Sequence, residues 1–124
     1  EFRRVLFRSK DFKIEVSGCD PLVSKLNLKF SGTTTDAAYK RLQNDLTGEG
    51  NATHVGITVT NKNGGNGDVL FNGSVPDSAT DVINNPDGTT ASVFNYTANV
   101  IQVGDTLPTA GHYSASATFE VMYR

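Results

Sequence analysis

The segment GHYSASATFEVMYR, residues 111–124, alternates apolar and polar residues almost without a break. A β-strand places every second side chain on the same face, whereas at helical spacing these apolar residues would scatter around the axis. The residues predicted to share the inward face are Tyr113, Ala115, Ala117, Phe119, Val121 and Tyr123. Polar residues occupy the positions between them, with Met122 as the exception. The pattern therefore predicts a half-buried strand that Gly111 opens.

No later element follows this strand in the chain, so one of its edges is expected either to pair with an earlier strand or to stay open. An open strand edge with an apolar face invites pairing with another chain. The segment is therefore the first candidate for an interaction site.

Upstream segments repeat the same alternation. Apolar residues recur at every second position from Phe12 to Val16, from Leu26 to Phe30 and from Val55 to Val59, and each segment predicts a strand. A fourth strand is predicted over residues 93–101, and we expect it to lie beside the C-terminal strand. The first two strands are expected to be antiparallel neighbours because strands close in sequence commonly pair.

The cluster NKNGGNGD, residues 61–68, predicts a turn that leads into a short strand over residues 69–71. Residues 73–86 form a polar connection with little periodicity, and the turn residues Pro86 and Gly88 close it.

Residues 33–53 leave two alternatives open. Leu42 and Leu46 follow Ala38 at helical spacing and favour a short helix, while a short edge strand near residues 39–43 is the alternative that a family resemblance implies.

Length and composition indicate one all-β domain. The chain has 124 residues, no tryptophan and 12 glycines, with 37% hydrophobic residues. Six or seven short strands separated by regular turn signals are typical of an immunoglobulin-like β-sandwich. No apolar run approaches the ~20 residues that a transmembrane helix needs, so no membrane insertion is expected.

Several sequence segments, taken in order, resemble the pilin subunits of chaperone-usher fimbriae, type 1 major pilins in particular. They are FKIEVSGCD (12–20), SKLNLKFSG (24–32), NATHVGITV (51–59), FNYTANV (94–100) and the C-terminal GHYSASATFEVMYR. The resemblance covers roughly residues 10–124. It implies an incomplete immunoglobulin-like sandwich that lacks its closing strand, so that an apolar groove lies beside the C-terminal strand.

The resemblance also implies the partners and the location. A periplasmic chaperone would first lend the missing strand, an outer-membrane usher would mediate assembly, and the N-terminal extension of a neighbouring pilin subunit would then replace the chaperone. The mature protein is expected in an extracellular fimbrium that supports cell adhesion. The residues expected to line the chaperone and donor-strand groove are Gly111, Tyr113, Ala115, Ala117, Phe119, Val121 and Tyr123.

Cys19 is the only cysteine. Cys19 resembles the second cysteine of the disulfide in these pilins, and the first cysteine of that disulfide lies upstream. The resemblance therefore implies that the chain is N-terminally truncated and lacks the donor segment, the first strand and the partner of Cys19.

Residues 1–9, EFRRVLFRS, do not resemble the family and are interpreted as a foreign leader, with a native basic arm as the alternative. The predicted pilin domain therefore comprises residues 10–124 and begins at Lys10. Without Glu1, Arg3, Arg4 and Arg8 the chain carries 8 basic and 12 acidic residues, a net charge of −4. This balance argues against a nucleic-acid partner.

Nothing in the sequence predicts catalysis, a cofactor or a metal site. The two histidines, His54 and His112, have no hydrolase motif around them. The glycine cluster over residues 63–68 lacks the lysine of a phosphate loop and the spacing of a calcium repeat, so a hairpin turn is the simpler interpretation. The alternative function is a secreted carbohydrate-binding module of a fimbrial tip, for which Tyr39, if exposed, is the best candidate to stack on a sugar ring.

Overall fold

The computed structural model describes residues 9–65 and 67–124, and within them the chain forms two antiparallel sheets. The strands are β1 (Ser9–Val16), β2 (Lys25–Gly32), β3 (Leu42–Gln43), β4 (Val55–Asn61), β5 (Val82–Ile83), β6 (Ser92–Gln102) and β7 (Ala117–Tyr123). The described helical structure is a single 3₁₀ turn, Ser78–Thr80. Residues 1–8 of the predicted leader lie outside the described residues, and Ser9 begins β1.

The larger sheet has the strand order β1-β6-β4-β3 and the smaller one β5-β2-β7. Both pack on one main core, because alternate residues of β2 and β6 point between the sheets. Rings make much of this core: Phe30 contacts Tyr96 edge-on at a centroid distance of 5.5 Å, and Phe12 stacks on Tyr96 at 5.5 Å. The buried members of the cluster are Leu26, Leu28, Phe30, Leu42, Val59, Val69, Phe71, Phe94 and Tyr96.

Four strands, β1, β2, β4 and β6, lie where the sequence predicts them, but two predicted neighbours are wrong. β1 pairs with β6 along its whole length, from Ser9↔Asn99 to Val16↔Ser92, and not with β2. The connection between β1 and β2 is long enough to cross between sheets that pack about 10 Å apart. β6 lies inside the larger sheet between β1 and β4, so it is not the neighbour of the C-terminal strand.

The regions between the confirmed strands are mostly extended loops. β3 is a two-residue edge strand that pairs Leu42 with Ile57, and no described residue between 33 and 53 is helical. After β4 the chain turns back, since the Val69 amide donates to the Val59 carbonyl at 2.7 Å. The predicted strand over 69–71 is nevertheless wrong, because Thr60↔Asp68 and Ser31↔Asn72 are isolated bridges to two different sheets. The sequence analysis also missed β5, which comprises two residues within the polar connection.

The two halves of the C-terminal segment pair with different parts of the structure. β7 begins only at Ala117, whose partner Gly32 ends β2, so residues 111–116 have no partner left in that sheet. They follow the loop after β3 instead: His112 forms a parallel bridge with Asn51, and the Ser114 carbonyl accepts from the Asp45 amide at 2.8 Å. The prediction of one continuous strand over residues 111–124 is therefore wrong in its first half.

Gly111 makes this change of partner possible. It has φ of +157°, and a Cβ atom at this position would lie 2.7 Å from Ala52 N, from Asn51 C and from Gly50 O. The backbone of residues 50–52 therefore leaves no room for a side chain at this position.

We predict that Gly111→Ala lowers the free energy of unfolding by about 1–3 kcal/mol, because the backbone must shift to admit a methyl group. Urea denaturation of the folded chain measures the change. Gly67→Ala is the control, since a Cβ atom at Gly67 would have no neighbouring atom within 4 Å and the φ of Gly67 is not positive. Equal effects of the two substitutions would contradict the close approach at Gly111.

Candidate functional site

The candidate site is the inward face of β7 and its free edge. β7 pairs antiparallel with β2 in the register Leu26↔Tyr123, Leu28↔Val121 and Phe30↔Phe119. Directly paired residues point to the same side of a sheet. Phe119, Val121 and Tyr123 therefore share the face that β2 directs into the core, as the alternation predicts.

The two strands differ sharply in how well that shared face is covered. On β2, Leu26 is 0% exposed and Phe30 is 7% exposed. On β7, their partners Tyr123 and Phe119 are 56% and 48% exposed, although the rings of Phe30 and Phe119 lie only 6.1 Å apart. Large apolar side chains that point inward and remain exposed show that the core is uncovered beside β7.

The edge of β7 is also free. In the order β5-β2-β7, β2 is the only strand that pairs with β7 within the described residues. An edge strand presents a row of N–H and C=O groups that can hydrogen-bond to another strand. Exposed apolar side chains and unpaired backbone groups thus occur together along Ala117–Tyr123.

The predicted groove residues fall into two groups. Ala117, Phe119, Val121 and Tyr123 lie on β7, while Gly111, Tyr113 and Ala115 belong to the segment that follows the loop after β3. Ala115 and Val121 are half-buried and pack against the main core. Tyr113 is exposed.

Asn44 holds that first segment in place, and the sequence analysis did not identify it. Its buried side chain donates from Nδ2 to the Ala52 carbonyl at 2.9 Å and accepts at Oδ1 from the Ser114 amide at 3.0 Å. Satisfying buried backbone groups in this way stabilises the junction of two irregular segments. No local pattern around Asn44 predicts this role, because its partner Ser114 lies 70 positions away.

Arg124 holds the other end of β7. Its Nε donates to Asp81 Oδ2 at 2.7 Å and its Nη2 donates to the Pro76 carbonyl at 2.5 Å. The alternation in the C-terminal segment does not predict these contacts of Arg124, because Asp81 lies 43 positions away. The β7 edge is thus fixed at both ends and open between them.

Cys19 is half-buried against the main core and has a free thiol. Because it is the only cysteine, no disulfide forms within the chain. Its proposed upstream partner stays a prediction.

No group of three His, Cys, Asp or Glu among residues 9–65 and 67–124 could hold a metal ion. The most perturbed carboxylate is an exposed turn residue, Asp87. The hydroxyl and amide of Thr90 and the amide of Thr89 donate to it and lower the pKa of Asp87 to about 2. In the part of the chain that the structure describes, no helix has the length and apolar character to span a membrane.

Fold and edge together define an incomplete immunoglobulin-like sandwich of the pilin type, with an open strand edge. A model of the fimbrial protein family matches residues 1–124, and the chain belongs to that family. None of the curated proteins compared with the chain matches it.

Solved structures agree with this assignment. The P pilus rod subunit PapA is similar with a TM-score of 0.69 at 24% identity, covering 94% of this chain and 79% of PapA. The type I fimbria protein BPSL1626 of Burkholderia pseudomallei gives a TM-score of 0.62 at 25% identity, covering 94% of this chain and 68% of that one. The CupB6 tip adhesin of Pseudomonas aeruginosa gives 0.68 at 19% identity, covering 92% of this chain but only 30% of the adhesin. The chain is thus a subunit of chaperone-usher fimbriae, and its family is structural.

The exposure difference between paired residues can be measured directly. We predict that Phe30→Ala costs about 3–5 kcal/mol of unfolding free energy, as for a buried phenylalanine. Phe119→Ala in the same chain should cost less than about 2 kcal/mol, because about half of its ring surface stays in water. Equal costs in denaturant titrations would show that the inward face of β7 is already covered.

Proposed function

We propose that the chain is a structural subunit that polymerises by donor-strand complementation. The observation that carries this proposal is the contrast across the β2–β7 ladder, where the paired aromatic residues Phe30 and Phe119 are 7% and 48% exposed. A strand added at the free edge of β7 would cover Phe119 and Tyr123 and would extend the smaller sheet from three strands to four. Chaperone–pilin complexes are an established example of such strand addition.

The free edge specifies what kind of strand would fit. Backbone hydrogen bonds along Ala117–Tyr123 would supply affinity without regard to sequence, at about 0.5–1.5 kcal/mol net for each bond. Side-chain selection would come from the inward face, where Phe119 and Tyr123 flank the smaller Val121. The donor must therefore place apolar residues at alternate positions, since only one of its faces meets the core.

The same exposure accounts for the other proposed partners. An uncovered apolar edge aggregates or pairs with the wrong chain, so a periplasmic chaperone would cover it before assembly. An outer-membrane usher would then bring two subunits together, and the N-terminal extension of the neighbour would replace the chaperone strand. The assembled protein would lie in an extracellular fimbrium and support adhesion. In this scheme the proposed groove residues are Gly111, Tyr113, Ala115, Ala117, Phe119, Val121 and Tyr123.

We expect Phe119→Asp or Tyr123→Asp, introduced into the full-length subunit, to abolish chaperone capture. A carboxylate on the inward face would have to be desolvated when the donor strand closes over it, which costs several kcal/mol. Co-purification of the subunit with the chaperone from periplasm measures capture.

Glu120→Lys is the matched control, because Glu120 lies between the two test residues but points to solvent, where it pairs with Lys29 at 3.3 Å. Its capture should equal that of the unmodified subunit. Normal capture of both aspartate variants would refute the assignment of the groove to β7.

A carbohydrate-binding tip module is the second candidate. Tyr39 is exposed and adopts an unusual backbone conformation for a non-glycine residue, with φ of 59°. Its ring is therefore available to a sugar. The likeness to the CupB6 tip adhesin bears on the fold alone at 19% identity. A specific hit on a glycan array that Tyr39→Ala removes would favour this function, whereas polymerisation with a donor peptide favours the pilin.

A further inference from the structure

The three strands of the smaller sheet are linked by side chains at the end where β7 finishes. Asn27 of β2 donates from Nδ2 to Asp81 Oδ1 at 2.7 Å and to Thr80 Oγ1 at 3.0 Å. Asp81 immediately precedes β5 and accepts from Arg124 at its other oxygen, Oδ2. Arg124 immediately follows β7. The network therefore connects β7, β2 and β5 through the two oxygens of one carboxylate.

Two members of this network have buried side chains. The side chain of Asp81 is 2% exposed, and Asn27 is also buried. A buried carboxylate is tolerated when it is paired with a charge and hydrogen-bonded, and it is strongly destabilising when its partner is removed. Arg124 supplies the only cation within 4 Å of this carboxylate among the described residues. The carboxylate of Glu120 differs in this respect: its side chain is 76% exposed, and its ion pair with Lys29 links β7 to β2.

The network would fix the register in which β7 pairs with β2. The backbone of Arg124 exchanges two hydrogen bonds with Lys25, at 2.9 and 3.3 Å, and these bonds close the β2–β7 ladder. Within the described residues, β7 has no strand on its other side to oppose slippage. A shift of one residue would turn Phe119 and Tyr123 to the solvent face and would direct Glu120 into the core.

We propose that Arg124 is a positioning residue for donor-strand capture: through the buried Asp81 carboxylate it keeps β7 ordered and in register before the donor arrives. This inference rests on the proposed function. Without the Arg124–Asp81 bond, the end of β7 would fray and the donor would have to order it during binding. Ordering a segment at the moment of binding lowers both the rate and the affinity.

The test uses a fluorescein-labelled synthetic peptide of about 12 residues, alternating Val and Thr with a Lys at each end, as the donor. Capture is followed by fluorescence anisotropy under conditions in which each variant is folded by circular dichroism. We expect Arg124→Ala to slow capture about tenfold or more, and Asp81→Asn to slow it similarly. The double variant should add little to either loss, because both substitutions break the same bond.

Two controls separate positioning from general stability. Glu120→Ala removes the exposed ion pair between β2 and β7 and should leave the capture rate unchanged. Val100→Ala truncates a buried side chain in the other sheet, and it should slow capture less than Arg124→Ala when the two variants are compared at equal unfolding free energy. Arg124→Lys keeps the charge but loses the second donor group, so an intermediate rate is expected.

Each outcome has a distinct meaning. If the unmodified chain does not capture the peptide, the proposed function fails. If it captures the peptide and Arg124→Ala captures it equally fast, the function stands and the positioning role is refuted. A loss no greater than that of the stability-matched Val100→Ala also refutes the positioning role. Should Arg124→Ala fail to fold, the comparison of Arg124→Lys with Val100→Ala decides between the same alternatives.

Discussion

The main feature of this structure is that β7 is paired along only one of its two edges within the described residues. β7 carries large apolar side chains on the face that it shares with β2, but it has no neighbour on its outer side within the described residues. The inward-facing side chains of an edge strand leave water only where a strand, helix or loop packs beside them. Here Phe119 and Tyr123 lack that cover, so a strand added beside β7 would bury further apolar surface and stabilise the fold.

The open edge is held in place by polar contacts at its two ends. Asn44 joins the residues before β7 to the loop after β3, and Asp81 joins the residue after β7 to the start of β5. Both side chains are buried, and each has at least one hydrogen-bond partner more than 40 positions away in the sequence. Such contacts specify one arrangement, since each would leave an unsatisfied group in any other. A fixed edge binds a strand at a lower entropic cost than a mobile one.

Alternation of apolar residues was sufficient to predict β1, β2, β4, β6 and the second half of the C-terminal strand. These strands each have one face on the core, and the pattern records that face directly. The pattern does not record partners: β1 and β2 have the same alternation and are neighbours in sequence, yet they lie in different sheets. β5 is only two residues long and has no period to detect.

The candidate site was predictable to the same extent and for the same reason. Phe119, Val121 and Tyr123 share a face because they alternate, whereas the departure of residues 111–116 from the strand depends on where β2 ends. The network of Asn27, Asp81 and Arg124 joins residues 43 and 54 positions apart, and each of them alone resembles an ordinary surface residue. The resemblance to pilins points to the C-terminal strand, and Phe119 and Tyr123 are the large inward-facing residues of that strand that remain exposed.

Amide hydrogen exchange along β7 tests the central claim most directly. The amide of Arg124 points to β2, where it bonds to the Lys25 carbonyl, and in an antiparallel ladder alternate residues do the same. The amides of Thr118, Glu120 and Met122 should therefore be protected in the chain alone. Those of Phe119, Val121 and Tyr123 should exchange rapidly, and should become protected when a donor peptide binds. Protection of these three amides in the chain alone, or rapid exchange after the peptide has bound, would contradict an open edge that accepts a strand.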